Sequence, residues 1–293
     1  MGLVLLGADN LASDQADQNP SVFKRSKEKQ WAPGKKGFEV IELGDKKVKV
    51  IFHNFDTWPA DEWGRLATSL YSADIKVIDV DMGSCSMTEI GDNAFHNYGG
   101  EIYFSYAKDL TSVVLPPMVR TIGKNAFYVQ SIVQHPDVVQ MTLPRSLEYI
   151  DESAFHGFGI NVESIPNKVT YLGRMAFSYS LVVLKSFRNN LAPMSAEVFS
   201  YCPNIQNIEF SGNTIGHYWF HHCDNLKKVW IRESCETILG NPGSAPFQFC
   251  PDDLVLYAEA DAKPAGWSNR FNYLDYYGTK KATVVWGQKT RPF

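Results

Sequence analysis

The chain has 293 residues, 44% hydrophobic and 20% charged, with a net charge of −4 and an isoelectric point near 6.0. That composition excludes a disordered chain, and the slight acidity gives no electrostatic reason to expect nucleic acid or an anionic membrane, both of which call for a basic patch. Five cysteines are too few and too dispersed for a small disulfide framework, and no apolar run approaches the roughly 18 residues of a membrane span.

Residues 1–36 are polar and irregular, with a basic run at Lys24, Arg25, Lys27, Lys29, Lys35 and Lys36. So few apolar residues cannot offset the entropy of ordering, and the stretch reads as a mobile solvated tail. The short patch Leu3 to Leu6 has no basic residue before it, so a signal peptide is not expected from it. Residues 37–74 read as an N-terminal cap. Phe38 to Phe52 gives two β-branched runs around a turn at Gly44-Asp45. A helix is expected to start at Pro59, with Asp56 or Thr57 as N-cap and Trp63, Leu66, Ala67 and Leu70 as its apolar stripe.

From Ile75 the pattern changes to a repeat. Leu110 to Phe127 follows L-x-x-V-x-L-P-x-x-V-x-x-I-G-x-x-A-F, and Val138 to Phe155 fits every apolar position of it. The phenylalanines that close successive units, Phe95, Phe127, Phe155, Phe177, Phe199, Phe220 and Phe247, are separated by 32, 28, 22, 22, 21 and 27 residues. A basic period near 22 with insertions at 96–109, 128–137 and 239–245 predicts seven turns of a solenoid, the last partial. Each unit begins with a short strand whose alternation separates two faces. Ile205, Ile208, Phe210, Leu226, Val229 and Ile231 are expected inward; Ser112, Val114, Gln140, Thr142, Asn207, Glu209, Lys228 and Trp230 are expected on an outer parallel-sheet face. Two units fit poorly: 160–165 puts Glu163 in an apolar column, and 181–199 carries an extra residue.

Ile122-Gly123, Ala126-Phe127 and Leu115-Pro116, recurring at this period, resemble the BspA-type leucine-rich repeat, and Leu254 to Gly287 resembles the closing segment of such arrays. The resemblance covers 75–287, leaving 288–293 as a tail. It implies an α/β repeat fold, a right-handed leucine-rich-repeat solenoid with a parallel sheet face and short irregular or helical returns. For function it implies secretion or cell-surface display and adhesion-like binding of a protein or glycan, with no catalytic residues to carry over.

Candidate chemistry is sparse. His217, His221, His222 and Cys223 approach zinc-ligand spacing, but Cys223 repeats the column of Cys202 and Cys250, three positions after a closing phenylalanine, and reads as core. His221 shares the column of His96 and His156, where a polar residue is expected to face solvent; Cys235 reads as core, and Cys85, in an insertion, as exposed. No nucleotide-binding or nucleophile motif is present, so no metal, no cofactor and no enzyme activity are expected. The aromatic residues outside the apolar columns are the remaining signal: Tyr98, Tyr103, Phe104, Tyr106 and Trp230. Partner contact is therefore expected at Trp230 and Lys228, aided by Tyr103, Tyr106, Asn207 and Glu209, on a monomer without membrane insertion. The alternative reading is a structural spacer or array fragment of a larger surface protein.

Overall fold

The computed structural model describes residues 3–7, 34–96, 106–130, 138–188, 196–241 and 243–293. Strands β2 (Gly37–Gly44) and β3 (Lys47–His53) form the expected antiparallel hairpin. Its turn residues are Asp45 and Lys46, both in the left-handed region, one position later than the sequence suggests. On the other edge of β2 lies β1 (Leu3–Gly7), antiparallel. This corrects the tail expectation at those residues: LVLLG is the one apolar stretch there, and the sheet edge gives its backbone a hydrogen-bonding partner. Residues 8–33 of that expected tail, including Lys24 to Lys29, lie outside the described residues.

Helix α1 (Ala60–Ser72) buries Trp63, Leu66, Ala67 and Leu70 as the spacing requires. Its N-cap is Pro59, without a side-chain cap. Asp56 pairs with Lys36 at 2.5 Å instead, a contact that holds its carboxyl below the usual range, so neither expected N-cap residue serves. Trp63 lies 5.3 Å from Phe95 and donates its indole N–H to the Ala94 carbonyl at 2.6 Å.

Beyond the helix the chain is a parallel stack. Strands β4 (Lys76–Asp81), β6 (Ser112–Val114) and β8 (Gln140–Met141) extend the hairpin sheet, with β3 and β4 already parallel. A second sheet holds β11 (Ser186–Phe187), β12 (Asn207–Phe210), β14 (Lys228–Ile231), β16 (Val255–Ala258) and β17 (Thr283–Val285), all parallel. The I-G half of the repeat makes its own short parallel ladders: β5 (Glu89–Ile90), β7 (Thr121–Ile122), β9 (Tyr149–Ile150) and β10 (Tyr171–Leu172), then β13 (Thr214–Ile215) with β15 (Thr237–Ile238). The two large sheets are separated at 160–164, the unit whose register the sequence leaves open. Isolated bridges Val139 to Ile160 and Ser164 to Ser186 replace a strand there.

The closing phenylalanines form one buried column. Ring centroids from Phe95 to Phe247 are 4.9, 5.3, 5.2, 5.6, 5.8 and 5.6 Å apart, with interplanar angles no greater than 15°. At the far end Trp267 and Phe271 are buried, and Trp267 donates to the Cys235 carbonyl at 3.0 Å.

Candidate functional site

The outer sheet face follows from strand alternation, and its first half is open. Val114, Gln140, Thr142 and Asn207 are exposed, and Ser112 is half-buried. Its second half differs from the expectation. Trp230 points outward and stands apart from the hydrophobic core, yet it is only 4% exposed. Its indole N–H donates to the Gln288 carbonyl at 3.1 Å, and the Arg232 guanidinium lies 4.3 Å from its ring. Trp230 is therefore corrected from an exposed anchor to an internal one. Alternation assigns a face, and it carries no information about a segment far along the chain crossing that face. The crossing segment is 288–293, expected as a tail, together with the last residue of the closing segment: Gln288 N–H donates to the Ala258 carbonyl and Gly287 N–H to that of Ala260. Lys228 is half-buried, with its ammonium 5.9 Å from the Phe293 ring.

Glu209 is likewise corrected, being 7% exposed and engaged with charge. It accepts from Arg232 at 3.0 Å and lies 3.9 Å from Arg188, while Arg232 reaches Glu259 at 2.9 Å. Arg188, Glu209, Arg232 and Glu259 thus alternate in sign across successive turns. Burial opposes the Glu259 charge, but the Glu233 N–H and the Arg232 guanidinium outweigh it and hold the carboxyl below its ordinary value. Of the two insertion tyrosines, Tyr103 lies outside the described residues, as do Tyr98 and Phe104; the Tyr106 backbone starts a 3-10 turn at Tyr106–Asp109.

The histidines do not converge. His217 Nδ1 faces Ser244 Oγ at 3.0 Å, His222 stacks between Tyr201 at 4.7 Å and Phe249 at 4.8 Å, and Cys223 turns into the core. Among the described residues no three histidine, cysteine or acidic side chains are placed to hold a metal. Cys202, Cys223 and Cys250 do form a column, each thiol donating across to the closing phenylalanine of the turn before its own, at the carbonyls of Phe177, Phe199 and Phe220, at 3.0, 3.2 and 3.0 Å. Burial pushes the Cys202 thiol up to about 12 and raises the other two, which leaves them unreactive. Cys85 is also buried, against the expectation, with its thiol 3.3 Å from the Phe52 carbonyl of the hairpin.

His156 is buried and His96 half-buried, where their column suggests that both face water. They join a ring stack on one flank that runs His96, Tyr128, His156, Tyr179, Tyr201, His222, Phe249, with centroids 4.3 to 5.3 Å apart. Burial lowers His156 to about 4, and burial with the neighbouring His222 lowers His221 to about 4. Tyr179, Tyr201, His222 and Phe249 all have φ between 54° and 60°, an uncommon conformation for bulky residues. Each directs its N–H to a carbonyl of the next turn, at 2.7 to 3.0 Å, which with the ring stacking offsets the strain.

A protein-family model for the BspA type leucine rich repeat region matches six copies over residues 67–139, 99–227 and 134–251. The chain belongs to that family. No curated protein matches this BspA-type chain. Among solved structures it is similar to a leucine-rich repeat protein from Bacteroides ovatus ATCC 8483, at 16% identity and a TM-score of 0.40 over 85% of this chain. The BspA-type chain spans 66% of that protein, just under two thirds of its length. It is also similar to a leucine rich cell surface protein from Faecalibacterium prausnitzii A2-165, at 16% identity and a TM-score of 0.25, covering 91% of this chain and 96% of that one. Among the described residues no helix is long and apolar enough to cross a membrane.

Proposed function

We propose that this BspA-type chain is a non-enzymatic, secreted or cell-surface repeat protein that binds a protein or glycan partner on its outer sheet face. In this reading the solenoid is right-handed, residues 37–74 cap its first turn, 254–287 close its last, and the protein works as a monomer. The observation that supports it best is the set of exposed outer positions Val114, Gln140, Thr142 and Asn207, spread over three turns. Such a face accumulates affinity from many small contacts. Trp63 over Phe95 and Trp267 beside Phe271 leave both apolar ends of the array covered, which suits an autonomous binder better than a spacer.

Labelled protein incubated with a panel of extracellular proteins and glycans is expected to give at least one saturable partner. Asn207→Trp, Lys228→Glu, Tyr103→Ala and Tyr106→Ala should weaken that partner more than Lys124→Ala on the opposite flank. Absence of any saturable partner, or loss confined to Lys124→Ala, would contradict the reading.

A further inference from the structure

The gap between the two sheets is more than a loss of regularity. Where the unit at 160–166 fails to form a strand, a cleft of about 700 Å³ opens between turns 141–145 and 161–168. Its floor is aliphatic: Met141, Leu143 and Val162 are 7–8% exposed, whereas Ile208 and Val229 on the regular strands are fully covered. Its rim carries Arg145 and Lys168, both exposed, and neither meets a carboxylate within ion-pair distance among the described residues. Glu163, the acid that breaks the apolar column, also lines the cleft, but its carboxylate is taken by Lys185. Through Ser164, Ile165 and Asn167 the cleft continues into a second of about 260 Å³ that ends at Arg188. The Arg188 side chain is 60% exposed and only loosely engaged, 3.9 Å from Glu209.

We propose that this notch is a docking site for an extended acidic peptide segment of a partner protein. The inference rests on the binding-protein reading above and moves its centre from the regular sheet face to the interruption. Carboxylates would meet Arg145, Lys168 and Arg188, which sit on three successive turns, and an aliphatic side chain would cover Met141, Leu143 and Val162. Neighbouring turns of a parallel stack stand about 4.8 Å apart, so the three cations span about 10 Å, the reach of about three extended residues. Charge complementarity favours an acidic ligand, and guanidinium groups bind carboxylates in a defined paired geometry. A peptide is favoured over an acidic glycan because among the described residues the lining holds no aromatic ring, the surface on which a sugar would stack, and offers an aliphatic floor instead.

The test uses the full chain and a fluorescein-labelled pentapeptide, Glu-Leu-Glu-Leu-Glu, read by fluorescence anisotropy, with far-UV circular dichroism to verify folding. Saturable binding is expected. Arg145→Glu and Lys168→Glu should each weaken it by about tenfold or more, as for loss of a charge-assisted contact, while Lys227→Glu, the same charge change at an exposed site outside the cleft, leaves it unchanged. Lys168→Gln should give an intermediate loss. Replacing both leucines of the peptide by serine should also weaken binding. Several results would overturn the site: no saturable binding, equal binding of the serine peptide, or an equal loss in Lys227→Glu. Tighter binding of polygalacturonate than of the peptide would overturn the peptide assignment. If a partner from the panel still binds through Asn207 and Lys228 while the cleft variants are silent, this inference fails and the functional reading stands.

Discussion

Phe127 lies between Phe95 and Phe155, with ring centroids 4.9 and 5.3 Å away and no exposed surface. Removing such a side chain leaves a cavity that two packed turns cannot close, so Phe127→Ala should cost about 3–5 kcal/mol, read from denaturant unfolding. A variant as stable as the parent would contradict the column. His156 offers a pH test. Burial between Tyr128 and Tyr179 lowers it from 6.5 to about 4, so the unfolded chain takes up its proton first as the solution is acidified. The contribution of a neutral His156 is fully present above pH 6.5 and is lost as pH falls from 6.5 to about 4, on the order of 3 kcal/mol in all. His156→Phe should flatten the stability profile over that interval, and an unchanged slope would show that the ring titrates normally. These two residues also mark what the sequence makes legible. The spacing of the closing phenylalanines places Phe127 in the core. Nothing local to His156 says that its ring will lie between two tyrosines, since those sit one and two positions after the closing phenylalanines of adjacent turns.

At the scale of elements, the hairpin, helix α1 and the regular strands follow from periodicity because local pattern and burial agree. The interruption at 160–164 was legible only as a misfit, Glu163 in an apolar column, because pattern shows that a strand is weak without showing what replaces it. The cover over Trp230 left no sequence signal, since the contact with Gln288 joins residues 58 apart. The interruption makes its own prediction. Backbone amides within 160–164, lacking a continuous ladder, should exchange with deuterium faster than those of β12 and β14 in hydrogen-exchange mass spectrometry. Equal protection across the three segments would mean that the sheet is continuous there and that the cleft is closed in solution.

In the molecule as a whole, stability is carried by nearest-neighbour contacts along the solenoid, and the proposed binding surface lies on its outer face and at the interruption. Each turn then depends on the next through the phenylalanine column, joined from Phe177 onward by the cysteine-to-carbonyl contacts, and little passes directly between distant turns. The most direct measurement is a pair of double-mutant cycles by denaturant unfolding, using phenylalanine-to-leucine changes so that each variant stays folded. Phe127→Leu with Phe155→Leu, whose rings stack at 5.3 Å, should show a coupling of about 0.5–1.5 kcal/mol. Phe127→Leu with Phe220→Leu, three turns beyond Phe155 in the column, should be additive within about 0.5 kcal/mol. Additivity in the neighbouring pair, or equal coupling in the distant one, would contradict a stack of repeats joined turn to turn.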